Sequence, residues 1–274
     1  MFESCHEEPP VLVFAQALIR GVLVFAQALI RAGLRWIVYL PPKFAPSADD
    51  TAAALARAGF AQLVTRAPSG LIVTPLPLLY DRDRHALVGH VARANPHWHA
   101  DGHESVAIFT GAQGYVSPNL YATKAETGKV VPTWNYEVLN VYGRLVAHDD
   151  ADWVLNLVTM LTNRHEQGRA QPWQVTDAPE NYTRAQLRAI VGIELTITKV
   201  EGKAKMSQNQ PERNRTGVVA GLKQSDAPGD QLVADRVDAL GSTNANGRGE
   251  PNRNNRDRRT ASTDTVRTSP DDGS

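Results

Sequence analysis

Two short stretches collect the residue types that ligand chemistry needs. In Val131–Gly143, Pro132 leads into Thr133, Trp134, Asn135 and Tyr136, which group two wide aromatic rings with a hydroxyl and a carboxamide. That set suits a flat, polar-edged ligand. A structural corner, with Trp134 in the core and Asn135 satisfying local backbone, is the competing reading. In Gly89–Trp98, Gly89 permits close approach of backbone to a ligand and Arg93 offers a planar fork for a phosphate. Asn95 before Pro96 makes a turn whose amides face the same anion, although a solvated charge at a strand end is the plainer reading of Arg93 alone. Five of the eight histidines fall between His85 and His103. His97, His99 and His103, with Asp101 and Glu104, fit no metallohydrolase spacing, and HExxH is missing, so they read as surface or ligand-edge histidines. No P-loop, GxSxG or GxGxxG occurs, which leaves nucleophilic catalysis and Rossmann-type dinucleotide binding without support.

The elements that must position these stretches follow from local signals. Pro132 biases Val131 towards extended structure, and the aromatic and β-branched run to Gly143 predicts a strand. Further strands are predicted over Phe60–Thr65, Leu71–Leu79, His85–Val91, Ser105–Thr110 and Ile190–Val200, the last with Ile193, Leu195 and Ile197 on one side. Ser47 caps an alanine-rich helix that Gly59 stops, and Asp149 or Asp150 caps a second whose buried face is expected from Trp153, Leu155, Leu157, Val158, Met160 and Leu161. Short helices follow at Tyr182–Ala189 and from about Pro211. Closely spaced strands with short polar turns, and no βαβ rhythm, point to an antiparallel sheet or barrel.

The ends read differently from the middle. Val11–Arg20 recurs unchanged as Val22–Arg31 with Gly21 between the copies. As a membrane span this segment would place Arg20 near its centre, at about 2.5–3.5 kcal/mol, and the acidic start lacks the basic region of a signal peptide. Residues 1–37 therefore read as an extension outside the fold, a duplication in the coding sequence, with Val38 as the original start. Residues 38–223 read as the domain, and 224–274 as a disordered tail, in which Asn, Arg, Asp, Ser, Thr and Gly leave almost no apolar side chains from residue 241 onwards. Across the whole chain 29 basic residues balance 29 acidic ones, so no overall field attracts nucleic acid or a membrane. A single cysteine, Cys5, excludes an internal disulfide and suits the cytoplasm.

Taken in order, Tyr39-Leu40-Pro41-Pro42-Lys43-Phe44, Thr74-Pro75-Leu76-Pro77-Leu78, Gly89 to Pro96, Tyr115-Val116-Ser117-Pro118, Val131 to Tyr136 and Lys205-Met206-Ser207-Gln208-Asn209 resemble the PaiB family, the FMN-binding negative transcriptional regulators of bacteria. The resemblance runs from about Val38 to Lys223. It implies an α+β fold, an antiparallel split β-barrel like those of flavin reductases and pyridoxamine-phosphate oxidases, with flanking helices, assembled as a homodimer with flavin at the subunit interface. It implies FMN as cofactor. Arg93, His90 and Asn95 then fall on the phosphate side of the flavin, Thr74, Thr133, Trp134 and Asn135 on the ring and ribityl side, and Lys205, Ser207 and Gln208 near the same site. Family members of this type are linked to repression of protease synthesis and sporulation. DNA is a partner by resemblance only, since no helix-turn-helix is visible. An FMN-dependent oxidoreductase using NADH or NADPH, and a haem-binding barrel using the histidines, are the alternatives.

Overall fold

The computed structural model describes residues 38–246, the side chains as far as residue 241. The chain divides into two units, 1–40 and 41–274, and the second holds every element described here. The N-terminal repeat and the Asn/Arg-rich stretch from residue 247 lie outside the described residues.

Seven strands form one antiparallel sheet: β1 (Phe60–Ala67), β2 (Gly70–Pro77), β3 (Leu79–Asp81), β4 (Ala86–Ala92), β5 (Glu104–Val116), β6 (Thr133–His148) and β7 (Ile190–Lys205). They lie side by side in the order β2-β1-β5-β6-β7-β4-β3. β2 is an edge, which is why it tolerates the exposed Pro75 and Pro77. The sheet curls until β4 meets the end of β2: a Cβ on Gly89 would stand 2.6 Å from the Pro77 carbonyl oxygen. Gly89 thus serves strand against strand, where close approach to a ligand was expected. The curl encloses Leu63, Leu87, Val141, Leu145, Ile193 and Leu195, each fully buried, and the period-2 alternation of β7 predicts that side correctly. The result is the α+β half-barrel expected of a split barrel, with helices on its flanks.

The helices cover what the sheet leaves open. α1 (Ala48–Ala56) starts at Ser47, whose Oγ accepts the Asp50 N–H at 3.0 Å. α2 is the short Thr123–Thr127. α3 (Ala151–Glu166) is capped by Asp150, which accepts the Trp153 N–H at 2.8 Å. Its buried stripe is Val154, Leu157 and Leu161, the last two packed on Val88. Leu155 and Met160, expected inside, are instead more than a third exposed, because the Val154 spacing rotates the helix away from them. α4 (Glu180–Arg188) follows, and α5 (Glu212–Lys223) lies after β7.

The expected disorder from residue 224 is corrected by α6 (Asp230–Asn246). Val233, Ala234 and Val237 are fully buried there, in a second core with Val116, Tyr121, Met206, Val218 and Leu222. Arg236 also donates to one Glu137 carboxylate oxygen of β6 through Nε at 2.8 Å and a terminal nitrogen at 2.6 Å. A thin apolar stripe in a polar sequence suffices once a preformed ribbon receives it.

Candidate functional site

Beyond a register shift between Thr110 and Gln113, β5, β6 and β7 continue past the barrel as a three-stranded ribbon. Tyr115 lies opposite Trp134, Gly114 opposite Asn135, Tyr136 opposite Lys205 and Val138 opposite Lys203. Alternation therefore gives the ribbon two faces of different chemistry. One carries Tyr115, Trp134, Tyr136, Lys203 and Lys205. The other carries Asn135 and Glu137 and is roofed by α6, since a Cβ on Gly114 would meet Val233 at 3.2 Å.

The first face is open. Tyr115 and Trp134 are each 50% exposed, their ring centroids 6.4 Å apart and tilted by 55°. The Lys203 ammonium stands 5.4 Å from the Tyr136 ring centroid. Lys205 donates to the Trp134 carbonyl at 3.0 Å and to the Thr133 hydroxyl, which leaves one of its three N–H groups over.

The second face is closed, and it holds three of the expected site residues. Asn135 and Ser207 are buried and bonded to each other, Nδ2 to Oγ at 3.0 Å. Ser207 sits at φ +61, a left-handed conformation that costs a non-glycine residue about 1–2 kcal/mol. Gln208 closes the turn by accepting the Met206 N–H and donating to the Ala204 carbonyl, both at 2.6 Å. These groups shape backbone, whereas Trp134 and Lys205 face outwards.

Thr74 and Asn95 belong to a different cluster. Their hub is His97, wholly buried, with Nδ1 2.8 Å from Thr74 Oγ1 and Nε2 2.7 Å from Thr65 Oγ1. Thr65 Oγ1 continues to Ser105 Oγ at 2.6 Å, Asn95 Nδ2 donates to Thr74 Oγ1 at 3.2 Å, and Asn95 Oδ1 accepts the His97 N–H at 2.9 Å. Burial pushes His97 down to about 4. This histidine is neither surface nor ligand edge. His99 packs against Trp98 with the rings tilted by 34°, His103 donates to local carbonyls, and among the described residues no group of three His, Cys, Asp or Glu converges on a metal position.

The side chains of Arg93 and His90 take no part in the hydrogen bonds of either cluster. The Arg93 fork is filled by both carboxylate oxygens of Asp149, one at 2.9 Å, and by the carbonyls of Arg188 at 2.7 Å and Ile190 at 3.3 Å. Its hydrogen bond holds Asp149 below the usual carboxylate range. His90 pairs with Gly192 and shares the β4 face of Val88, which packs under α3; burial lowers its pKa. Arg93 meets β7 at Ile190, Lys205 is at the other end, and about 50 Å of strand separates them at 3.3 Å per residue. Lys203 is not among the candidates the sequence offers, and Tyr115 enters there only within a motif. The Lys203-x-Lys205 alternation carries the signal, but the local pattern predicts a strand that ends at Val200, whereas β7 runs to Lys205.

A flavin requires flat apolar surface for its ring, N–H donors for its polar edge and a cation for its phosphate. The open ribbon face carries such groups, and in that respect the chain fits FMN. Residues 38–199 match the family described as "Putative FMN-binding domain". An uncharacterized protein of Emericella nidulans is 34% identical over 145 residues, 49% of this chain, which spans 58% of the relative's length. "Protease synthase and sporulation protein PAI 2" of Bacillus subtilis is 26% identical over 183 residues, 65% of this chain and 86% of that one. A solved FAD and heme binding protein from Mycobacterium smegmatis shares 17% identity over 65% of this chain and 80% of its own, with a TM-score of 0.46. The chain belongs to the FMN-binding domain family, where the PaiB resemblance of its motifs had placed it, and its cofactor is FMN.

Proposed function

We propose that the protein is an FMN-binding regulator of the PAI 2 kind, which seats its flavin on the open ribbon face and works as a homodimer to lower transcription. The observation that carries the site is the juxtaposition of Tyr115, Trp134 and Tyr136 with Lys203 and Lys205 on one side of three paired strands. Bound FMN supplies one- and two-electron redox chemistry. The chain's own part is to bind and orient: the rings stack, and the Lys205 ammonium, anchored on the Trp134 carbonyl, presents its remaining N–H. The regulatory role draws on the likeness to PAI 2 over 86% of that relative.

Two features support a second copy. Phe60, Leu71 and Val73 on the outer side of β1 and β2 are 66%, 67% and 57% exposed, an apolar stripe that a monomer leaves wet. On the outer side of β7, one carboxylate oxygen of Glu201 is buried without a partner among the described residues. A symmetric neighbour would cover the first and supply a donor to the second.

An absorption spectrum during FMN titration tests the site. Trp134→Ala and Lys205→Ala are each expected to weaken FMN binding by about tenfold or more, and unchanged affinity in both would remove FMN from this face. Half-exposed rings also leave a flat ligand open to a small acceptor, which favours an NADH- or NADPH-dependent oxidoreductase as the second reading. Flavin-dependent NADH oxidation without any salt-sensitive, sequence-selective DNA complex would decide for that reading over direct repression.

A further inference from the structure

The far end of β7 from the aromatic ribbon holds a cleft that the flavin reading leaves unused. Its volume is about 300 Å³. Its floor is apolar, made by Ala151 and Val154 of α3, Leu187 of α4 and Ile190 of β7. Five charged residues line it, and four are committed. Arg93 and Asp149 close on each other, Asp150 caps α3, and Arg184 pairs with Glu180 at 3.2 Å. Arg188 lies four residues after Arg184, on the same helix face. Among the described residues its guanidinium has no acidic partner and no hydrogen bond, because only its backbone carbonyl is held, by Arg93.

That combination selects a ligand chemistry. An inorganic anion would leave the floor wet, and an uncharged hydrocarbon would leave the Arg188 fork unpaired. A compact hydrocarbon body bearing one carboxylate satisfies both, since guanidinium and carboxylate match as planar forks. We propose that this cleft binds a small hydrophobic carboxylic acid, with its carboxylate on Arg188 and its body on Val154, Leu187 and Ile190. The site is separate from the flavin face and independent of it.

Isothermal titration of the full-length, FMN-saturated protein with 4-methylbenzoate, and with 4-methylbenzyl alcohol as the uncharged control, tests this. The acid is expected to bind saturably at one site, and about tenfold to a hundredfold more tightly than the alcohol. Arg188→Gln should remove that difference. Ala151→Trp, at an exposed position on the cleft floor, should abolish binding while leaving the melting temperature unchanged. Absence of saturable binding, equal binding of acid and alcohol, or an undiminished isotherm in Arg188→Gln would each overturn the assignment. So would displacement of the acid by added FMN when the titration is repeated on flavin-free protein. Failure of the ribbon to bind FMN leaves this isotherm unchanged, so the two sites fail separately.

Discussion

Acidification should destabilise this protein through His97. The ring is wholly buried, and each nitrogen faces a threonine hydroxyl, Thr74 at 2.8 Å and Thr65 at 2.7 Å. Neutral imidazole has one donor and one acceptor, which two hydroxyls satisfy. Protonation makes both nitrogens donors and places a charge among groups that include no carboxylate, so burial holds the folded-state pKa at about 4, against 6.5 when solvated. Between those values the unfolded chain holds a proton that the folded chain lacks. His97's contribution to stability is therefore fully present above pH 6.5 and is lost as pH falls towards 4. At about 1.4 kcal/mol per pH unit the loss across that window approaches about 3 kcal/mol. Urea unfolding at a series of pH values measures it, and His97→Gln, which keeps polar contacts without titrating, should flatten the slope within the window. An equal slope in both proteins would refute the reasoning. Should the variant fail to fold, the imidazole resonances of the unaltered protein decide: a His97 ring that protonates near 6.5 refutes it equally.

Three further outcomes follow from packing and pairing. Arg236→Ala removes the clasp on Glu137 and should lower stability by about 1 kcal/mol, the pair being partly solvated; proteolysis that does not reach α6 any sooner would argue against the clasp. Gly217→Ala places a Cβ 2.2 Å from the Leu120 carbonyl oxygen, a backbone atom that cannot yield cheaply. The expected cost of about 1–3 kcal/mol exceeds the roughly 1 kcal/mol gained in helix propensity, so the melting temperature should fall, and a rise would contradict the contact. Val73→Lys puts a charge on the exposed stripe of β2 and should shift sedimentation of the proposed homodimer towards monomer. A monomeric unaltered protein would overturn the proposed dimer, and an unchanged dimer in the variant would overturn this stripe as its interface.

Much of the barrel was legible because its signals are local. Short strand-like runs set off by turn residues such as Pro68-Ser69-Gly70 mark β1, β2 and β4, alternation marks β7, and Ser47 and the Asp149-Asp150 pair announce the helices they precede. What escaped depended on distant partners. The β2 reading ran into β3 because nothing local shows that Leu78 turns aside to donate its N–H to Gly59 at 2.7 Å. α6 looked disordered because Val233, Ala234 and Val237 gain their value only against Val116 and Met206. His97 read as surface because the threonines that enclose it are 32 and 23 residues away.

The same limit applies to the site, and parity explains how. Thr133, Trp134 and Asn135 form one motif, yet neighbours on a strand point to opposite faces, so Trp134 and Asn135 cannot both line one ligand. The sequence carries that alternation but not the choice of face. The choice is made by α6, through Arg236 on Glu137 across 99 residues and Val233 over Gly114. Once that side is roofed, Asn135, Ser207 and Gln208 become the scaffold of the turn. Of the described ribbon residues, those out of phase with them, Tyr115, Trp134, Tyr136, Lys203 and Lys205, stay on the open face. The helix that looked dispensable in sequence thus decides which half of the motif is available for binding.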